Sequence, residues 1–517
     1  MKKALALLLA LLMVVGAVSL VACGGDKPDD GKKDPAVDPV DPGKDPGTDP
    51  VDPGTDPVDP GKDPGTDPVT PDDDAIFELT ADYSGMDPIV LLWTDRLFYV
   101  DEPDKINDGD ALSNAIYTRQ LQVEEQLNTT YEVVSPEIDT YTLLDTAVTA
   151  GSHEYDMLTV HMKFGASAAL QGQLRNVNKF PTIDLSKTWW NQSINENFGY
   201  KTTQYWVTGD ITTGYIDNLV GVFVDDNMWE KYTGKTLDDL FTIVNDGKWT
   251  LEVVMEAVNG VYEDVNNDQI KNEGDFFGWC YDNTGWVVSA LATSLGYTYS
   301  VKSGSKYVLE LAGPANEAIF AKTKEFINNK DYVFPISGDI KAVFNDGNAM
   351  FIHQTLDVMG SFRERQEDFS IVPMPKMTEA DEYRTPSYDG LKLVGIAATE
   401  PLERYDLIGA FAEKFAAMGN RYVTDALYET TFKAKFARNE GSFHALDLIR
   451  QTGFCDFAFC WTGPLGQIDI FLSAAIMGGA GSLATPAASQ QAGYQKKLDG
   501  IYQTLAKLEK ADKEHAE

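Results

Sequence analysis

Cysteine and histidine are scarce in this chain, which contains 4 and 5 of them among 517 residues. The cysteine spacing fits no zinc pattern, and there is no Gly-x-Ser-x-Gly, no His-Glu-x-x-His and no phosphate-binding glycine loop. These absences argue against the enzyme classes that depend on such motifs. Glycoside hydrolysis stays open, because its two carboxylates are paired in space rather than in sequence.

Basic residues are also few, since the chain contains 42 Lys and Arg but 80 Asp and Glu, which gives a net charge of −38. A surface this acidic repels phosphate backbones and anionic lipid headgroups. We therefore expect no nucleic-acid partner. Beyond residue 22, no apolar run is long enough to span a bilayer.

The N-terminus has the pattern of an export signal over residues 1–22. Two lysines precede the apolar run Ala4–Val21, and the run ends in "LVACGG". Leu-x-Ala-Cys-Gly resembles the bacterial lipobox, in which the cysteine, here Cys23, is lipidated and becomes the first mature residue. Two or more acyl chains there would anchor the protein stably to a membrane. The alternative is an ordinary cleaved signal peptide in which Cys23 is incidental.

Residues 23–74 form a low-complexity segment rich in Asp-Pro. "DPGKDPGTDPV" occurs at 41–51 and again at 59–69, and the segment carries 16 Asp against 5 Lys. Proline disfavours helix and sheet, and like charges extend the chain, so we predict a disordered stalk of up to about 150 Å. A binding motif for a proline-recognising partner is the alternative function.

Residues 75–517 are enough for two lobes rather than one simple core. Apolar runs typical of strands alternate with segments of helical spacing, and the end of the chain is mostly helical. This order predicts an α/β fold with a parallel, helix-covered sheet in each lobe. The predicted strands are 88–94, 129–135, 155–162, 219–225 and 369–377, and the first two predicted helices are 111–127 and 140–151.

Four segments together resemble the extracellular solute-binding proteins of bacterial ABC importers, the family that includes maltose-binding protein. They are "DGKWT", "NDGNAMFIH", "DFSIVPMPKM" followed by "EY", and "LYETTFKAKFARNEGSFHALDLI". The resemblance implies a type II, two-lobed fold with a cleft between the lobes. It places lobe one at about 85–215 and 350–392, lobe two at about 216–349 and 393–513, and crossings near 211–219, 349–355 and 388–394.

The same resemblance implies a function. It indicates a lipid-anchored, monomeric, non-enzymatic receptor on the extracellular face of the cell membrane. Such a receptor captures a carbohydrate, expected here to be an oligosaccharide, and delivers it to the transmembrane subunits of an ABC permease. Two other classes stay open: a surface-anchored glycan hydrolase, and an adhesin or cell-wall-binding lipoprotein. A peptide ligand also stays open.

Carbohydrate sites combine aromatic rings, which stack on the C–H faces of sugars, with polar groups that bind the hydroxyls. Trp93 is a candidate because it ends the first strand, where α/β clefts open. The resemblance places four further candidates at the crossings, namely His353, Gln354, Tyr388 and Asp389. For each tryptophan, core packing is the alternative. The candidate ligand-binding residues are Trp93, Trp189, Trp190, Trp286, His353, Gln354, Tyr388, Asp389 and Trp461.

The segment "DVNNDQIKNEGD" has the oxygen-ligand spacing of a calcium loop. Gln269 stands where such loops usually have glycine, and an aspartate replaces the usual final glutamate. The sequence predicts a structural Ca²⁺ site, and the alternative is a solvated turn. The predicted ligands are Asp264, Asn266, Asp268, Ile270 through its carbonyl, Asn272 and Asp275.

Three cysteines lie in the globular part of the chain. Cys455 and Cys460 could pair with each other, either could pair with Cys280, or all three could be buried thiols.

Overall fold

The computed structural model describes residues 71–93, 111–136, 139–362, 365–428 and 440–514. The predicted signal peptide, Cys23 and nearly all of the predicted stalk lie outside these residues. None of the described helices is both long and apolar enough to cross a membrane.

Two main sheets and two short pairs account for the strands of the described residues. In chain order the strands are β1 Ile89–Leu92, β2 Tyr131–Val134, β3 Met157–His161, β4 Val220–Asp225, β5 Tyr262–Glu263, β6 Phe276–Asp282, β7 Ser300–Ser303, β8 Lys306–Leu309, β9 Val333–Ile336, β10 Ala349–Thr355, β11 Phe369–Pro373, β12 Thr385–Pro386, β13 Lys392–Ile396 and β14 Gly453–Phe454.

The first lobe is built on a four-stranded sheet with the order β13-β3-β1-β2. Strand β1 is parallel to β2 and β3, with Ile89 opposite Tyr131, and β13 runs antiparallel to β3. Leu91 and Leu92 belong to different apolar clusters, because successive strand residues point to opposite faces. Apolar residues therefore cover both faces of this sheet, as is usual for parallel pairing.

The second lobe is built on a six-stranded sheet with the order β11-β4-β10-β6-β5, and β9 pairs with β6. Every residue of β4, β10 and β11 is buried. Central strands of this kind need apolar side chains on both faces, which explains runs such as Val220–Val224. The remaining short pairs are β7 with β8 and β12 with β14.

Helices cover these sheets and make up most of the C-terminal region. In chain order they are α1 Pro71–Glu78, α2 Ala111–Leu127, α3 Thr140–Ala150, α4 Met162–Leu170, α5 Gln192–Phe198, α6 Gly214–Asp217, α7 Asp226–Thr233, α8 Leu237–Asn245, α9 Leu251–Val258, α10 Gly285–Ser294, α11 Pro314–Ile327, α12 Ile340–Asn345, α13 Tyr405–Met418, α14 Asp425–Tyr428, α15 Glu440–Gln451, α16 Phe457–Cys460, α17 Thr462–Leu465, α18 Ile470–Met477 and α19 Ala484–Glu514. Three 3₁₀ helices (Val177–Lys179, Leu356–Phe362, Leu402–Arg404) and one π-helix (Gly419–Thr424) complete the set.

Several helix ends follow directly from the sequence. The Thr250 side chain accepts a hydrogen bond from the Val253 amide and begins α9, as predicted. Helix α3 ends at Gly151, whose φ of 67° closes the helix in the left-handed conformation that glycine adopts without penalty. The predicted α/β, two-lobed fold with a helical C-terminal region is confirmed.

The expected division between the lobes differs from the strand order in one region. We expected 350–392 in lobe one, but β10 and β11 pair with β4 in the larger sheet. Strand β10 is not a crossing, because it has β4 on one side and β6 on the other. Strand β13 and helix α13, expected in lobe two, belong to the first lobe, where Phe411 packs on Tyr131. The periodicity of apolar residues in the sequence identifies strands, but it does not show to which sheet each strand belongs.

The expected crossing near 211–219 does connect the sheets, whereas the one expected near 388–394 covers only the end of the observed connection and the first residues of β13. The segment 211–219 leads into β4, the first strand of the second lobe. The segment 374–391 returns from β11 in the larger sheet to β13 in the smaller one. The second crossing contains Tyr388 and Asp389.

Candidate functional site

A cavity that is open to solvent lies beside this second crossing. Its walls come from α10, from the crossing itself and from the chain around α16 and α18. The lining residues are Trp286, Ser289, Ala290, Thr293, Tyr299, Pro386, Ser387, Tyr388, Asp389, Phe454, Cys455, Asp456, Phe459 and Asp469.

Two half-buried aromatic rings define one side of the cavity. Trp286 and Tyr388 have ring centroids 4.9 Å apart and an interplanar angle of 55°. Trp286 is the second residue of α10, which begins just after the carboxyl end of β6. Tyr388 fits against the crossing because residue 390 is glycine, where a Cβ would approach the tyrosine ring to 2.8 Å. Both rings therefore line the cavity next to each other.

One ion pair links the cavity to the first lobe. Asp389 Oδ2 lies 3.9 Å from Lys163 Nζ. Lys163 is the second residue of α4, which directly follows β3 of the smaller sheet. Burial raises the pKa of the Asp389 carboxyl, and the nearby Asp469 raises it further. The cavity thus contains a partly buried carboxylate that forms an ion pair with a lysine of the first lobe.

Two further aspartates line the cavity, and both have internal partners. The Asp456 carboxylate accepts hydrogen bonds from the Ser300 amide and hydroxyl and from the amides that begin α16. Burial raises its pKa to about 6. The Asp469 carboxylate accepts a hydrogen bond from the Thr462 hydroxyl, and its carbonyl accepts one from the Tyr299 hydroxyl. The lining is therefore aromatic and acidic.

The residue that follows Lys163 in α4 is an exposed aromatic side chain that does not line the cavity. Phe164 is 41% exposed and stacks on Tyr141, with ring centroids 6.3 Å apart and an interplanar angle of 16°. Sequence reasoning did not select Lys163 or Phe164. A usable signal existed, since "HMKFG" follows a predicted strand at the sheet edge where α/β proteins bind ligands.

The fold resembles that of a maltodextrin-binding protein. A solved structure of a cyclo/maltodextrin-binding protein complexed with maltotetraose matches with a TM-score of 0.52 and 13% sequence identity. The match covers 82% of this chain and 97% of that chain. No family model matches the sequence, and no curated protein matches it. At this identity the likeness concerns the fold, and the site must be argued from this chain's own residues.

The structure brings three of the predicted ligand-binding residues together, namely Trp286, Tyr388 and Asp389. His353 and Gln354 are buried in β10 and do not line the cavity. The His353 ring accepts a hydrogen bond from the Trp279 indole N–H at 3.1 Å, and its other nitrogen lies 3.2 Å from the Val287 carbonyl. Burial lowers the pKa of His353 to about 4, so this histidine is neutral at physiological pH.

The other predicted tryptophans are buried in the apolar core. Trp93 packs on Phe415 with centroids 6.3 Å apart. Trp189 and Trp190 donate their indole N–H groups to Glu413. Trp461 packs on Phe457 behind the cavity wall. Each of these tryptophan side chains therefore packs in the core, which was the alternative to ligand binding.

The predicted calcium loop is an exposed turn with a network of internal hydrogen bonds. Asp264 accepts from the amides of Asp268 and Gln269, and Asp268 accepts from the Ile270 amide. Gln269 has a φ of 61°, so it adopts the left-handed turn that glycine usually supplies at this position. Asp275 is fully buried, and its Oδ1 has no hydrogen-bond partner among the described residues.

The remaining oxygen ligands predicted for this loop also lie close to one another. Asn272 donates to the Asp268 carboxylate and to the Ile270 carbonyl, each at 2.8 Å. Asn266 lies 3.4 Å from Asn272, measured from Nδ2 to Oδ1. The residues predicted to bind Ca²⁺ therefore lie within one turn.

A different group, His153, Asp156 and Glu400, also places three metal-ligating atoms within 4.8 Å of one another. The His153 Nε2 atom lies 3.1 Å from both carboxylates. The Arg404 guanidinium contacts the same two carboxylates at 2.8 and 3.1 Å. A cation is thus already present at this group, and it competes with any metal ion.

Proposed function

We propose that this protein is a carbohydrate-binding receptor whose ligand occupies the cavity beside the second crossing. The paired rings of Trp286 and Tyr388 carry the proposal. Partly exposed ring faces can stack on sugar C–H groups, and Asp389 and Lys163 supply an acceptor and a donor for hydroxyls. The similarity in fold to a protein that was solved with maltotetraose supports the same ligand class.

The charge of the cavity favours a neutral oligosaccharide over an acidic one. Asp389, Asp456 and Asp469 line the cavity, and the nearby cations are Lys163, which pairs with Asp389, and Arg384, whose guanidinium lies 4.9 Å from the centroid of the Phe454 ring. A uronate or sulfate group would bring another negative charge next to these carboxylates. We therefore expect neutral sugars to bind more tightly than uronate-containing sugars of equal length.

A thermal-shift screen tests the ligand class. The full-length protein is heated with neutral oligosaccharides, beginning with maltotetraose, and with uronate-containing oligosaccharides of the same length. A ligand present at a hundred times its Kd stabilises the folded state by about 2.7 kcal/mol and raises Tm. We expect at least one neutral sugar to raise Tm. No shift with any sugar would contradict the proposal.

We further propose that the receptor serves an ABC importer and is held at the extracellular face of the membrane by a lipid on Cys23. The lipobox-like "LVACGG" and the Asp-Pro stalk support this placement. Mass spectrometry of the N-terminal peptide would detect the acyl chains, and loss of ligand uptake in a deletion strain would test the importer role. The ligand recovered after binding should be chemically unchanged, whereas a glycan hydrolase would return shorter products.

We also propose that the loop of Asp264–Asp275 binds a structural Ca²⁺ ion. Asp264, Asn266, Asp268, Asn272 and Asp275 offer side-chain oxygens and Ile270 offers a carbonyl, and hard cations prefer such oxygen ligands. The left-handed turn at Gln269 and the unpartnered, buried Asp275 Oδ1 support the proposal. Bound there, the ion would fix the turn that precedes β6.

A further inference from the structure

Three sulfur atoms meet in the wall of the cavity. The Sγ atoms of Cys455 and Cys460 are 2.7 Å apart, and Met162 Sδ lies 3.5 Å from Cys455 Sγ. Both thiols are about 99% buried. Cys455 Sγ also lies 3.7 Å from the Asp456 carbonyl, and Cys460 Sγ lies 3.8 Å from the Cys455 carbonyl.

A separation of 2.7 Å is short for two unbonded sulfur atoms. Even carbon atoms prefer about 3.5–4.0 Å, and sulfur is larger. The separation is also too short for a metal bridge, because two thiolates at about 2.3 Å from a tetrahedral ion lie roughly 3.8 Å apart. A disulfide bond of about 2.05 Å requires only a small movement. We propose that Cys455 and Cys460 form a disulfide and that Cys280 remains a thiol.

The oxidant in this step is a low-molecular-weight disulfide such as oxidised glutathione. One cysteine thiolate attacks the small disulfide and releases one glutathione thiolate, which takes up a proton. The second cysteine then loses its proton, attacks the mixed disulfide and releases the second glutathione. Two protein thiols are oxidised, and one small disulfide is reduced to two thiols.

Burial determines when this exchange takes place. It raises the pKa of both thiols, which keeps them protonated and slow to react in the folded protein. The bond should therefore form before the helical turn α16 is enclosed, and it should resist reductants afterwards. Cys280 lies in β6 as a buried thiol.

The disulfide would fix one wall of the cavity. Cys455 lines the cavity, and the ring 455–460 encloses Asp456 and the aromatic Phe459. Closing this ring limits movement of Phe459 against the ligand. This consequence for binding rests on the proposed function, whereas the bond itself does not.

Peptide mapping tests the bond without reference to any ligand. Full-length protein is unfolded, reduced, refolded in a mixture of oxidised and reduced glutathione, denatured in N-ethylmaleimide and digested with trypsin. Residues 451–496 form one tryptic peptide that holds both cysteines. We expect this peptide to carry no maleimide. Its mass should be about 2 Da lower than that of the reduced peptide, because forming the disulfide removes two hydrogen atoms. The Cys280 peptide should carry one maleimide.

Two results would overturn the inference: two maleimides on the 451–496 peptide, or a disulfide that joins this peptide to Cys280. Melting temperatures supply a second readout. Oxidised wild-type protein should melt about 2 °C higher than reduced protein. Cys280→Ala should keep this difference, and Cys460→Ala should lose it.

Discussion

At the scale of single residues, Glu413 shows how the core uses a buried carboxylate. The indole N–H groups of Trp189 and Trp190 donate to its two oxygens at 2.9 and 3.0 Å, and the Asp184 amide donates at 3.1 Å. Burial nevertheless raises the pKa of Glu413 from 4.5 to about 7. The two tryptophans are therefore part of a structural network rather than a ligand site.

This pKa shift predicts a pH dependence of stability. Because the folded state holds the proton more tightly than the unfolded state, Glu413 contributes most stability below pH 4.5, and the contribution is lost as pH rises through about 7. The free energy of unfolding of wild type, relative to Glu413→Gln, should fall over this window by at most about 3 kcal/mol. Urea unfolding from pH 4.5 to 8 measures the difference. A difference that does not change with pH would contradict the assignment.

At the scale of elements, Lys414 fastens helix α1 to the first lobe. Its buried ammonium group donates to the carbonyls of Ile76 and Leu79, each at 2.7 Å. These carbonyls lie at the C-terminal end of α1, where helix carbonyls have no partners within the helix and a cation is favoured. Burial lowers the pKa of Lys414 to about 8, so the ammonium form predominates at neutral pH.

Replacing this lysine should release helix α1, which begins at Pro71 and so includes the last four residues of the predicted stalk. Lys414→Met removes a charged donor from buried carbonyls, so we expect a loss of about 1.5–3 kcal/mol in unfolding free energy. Hydrogen exchange should also become faster in residues 76–81. Lys302→Met is the control, because its exposed pair with Glu196 should contribute less than about 1 kcal/mol. Equal effects of both variants would show that Lys414 has no special role.

The loop of Asp264–Asp275 gives a second prediction at this scale. Adding Ca²⁺ should raise the Tm of the wild type, and Mg²⁺ should do so less, because Mg²⁺ gives up its bound water reluctantly and requires a near-ideal octahedral geometry. Asp264→Ala should abolish the response. Asp246→Ala, a change at an exposed aspartate that pairs with Lys248 outside the loop, should keep it. A full response in Asp264→Ala would exclude this loop as the site.

Much of the element structure was predictable from local pattern. Helix α2 was predicted with its observed bounds of 111 and 127, and Gly151 ends α3 as expected, because helical spacing and glycine caps depend on neighbouring residues. Strand β10 was recognised, but its place in the larger sheet was not. The order of strands in a sheet depends on contacts between residues far apart in the chain, and these contacts cannot be predicted from the periodicity of one strand.

At the scale of the whole molecule, the same limit explains the mixed outcome for the candidate site. Trp286, Tyr388 and Asp389 meet because the chain crosses from β11 to β13 beside α10. Trp93 and Trp461 differ from Trp286 only in what packs around them, since a tryptophan is favourable both in a core and on a sugar. Lys163 was missed because its partner, Asp389, is 226 positions away in sequence.

The most direct test of the proposed function is a calorimetric titration of the best sugar from the thermal-shift screen. Wild type, Trp286→Ala and Trp249→Phe are measured side by side, and the last is the control, because Trp249 is fully buried away from the cavity. We expect one site in the wild type and an unchanged affinity in Trp249→Phe. Trp286→Ala should bind about 5- to 150-fold more weakly, equivalent to about 1–3 kcal/mol. A folded Trp286→Ala protein with wild-type affinity would contradict the proposed site.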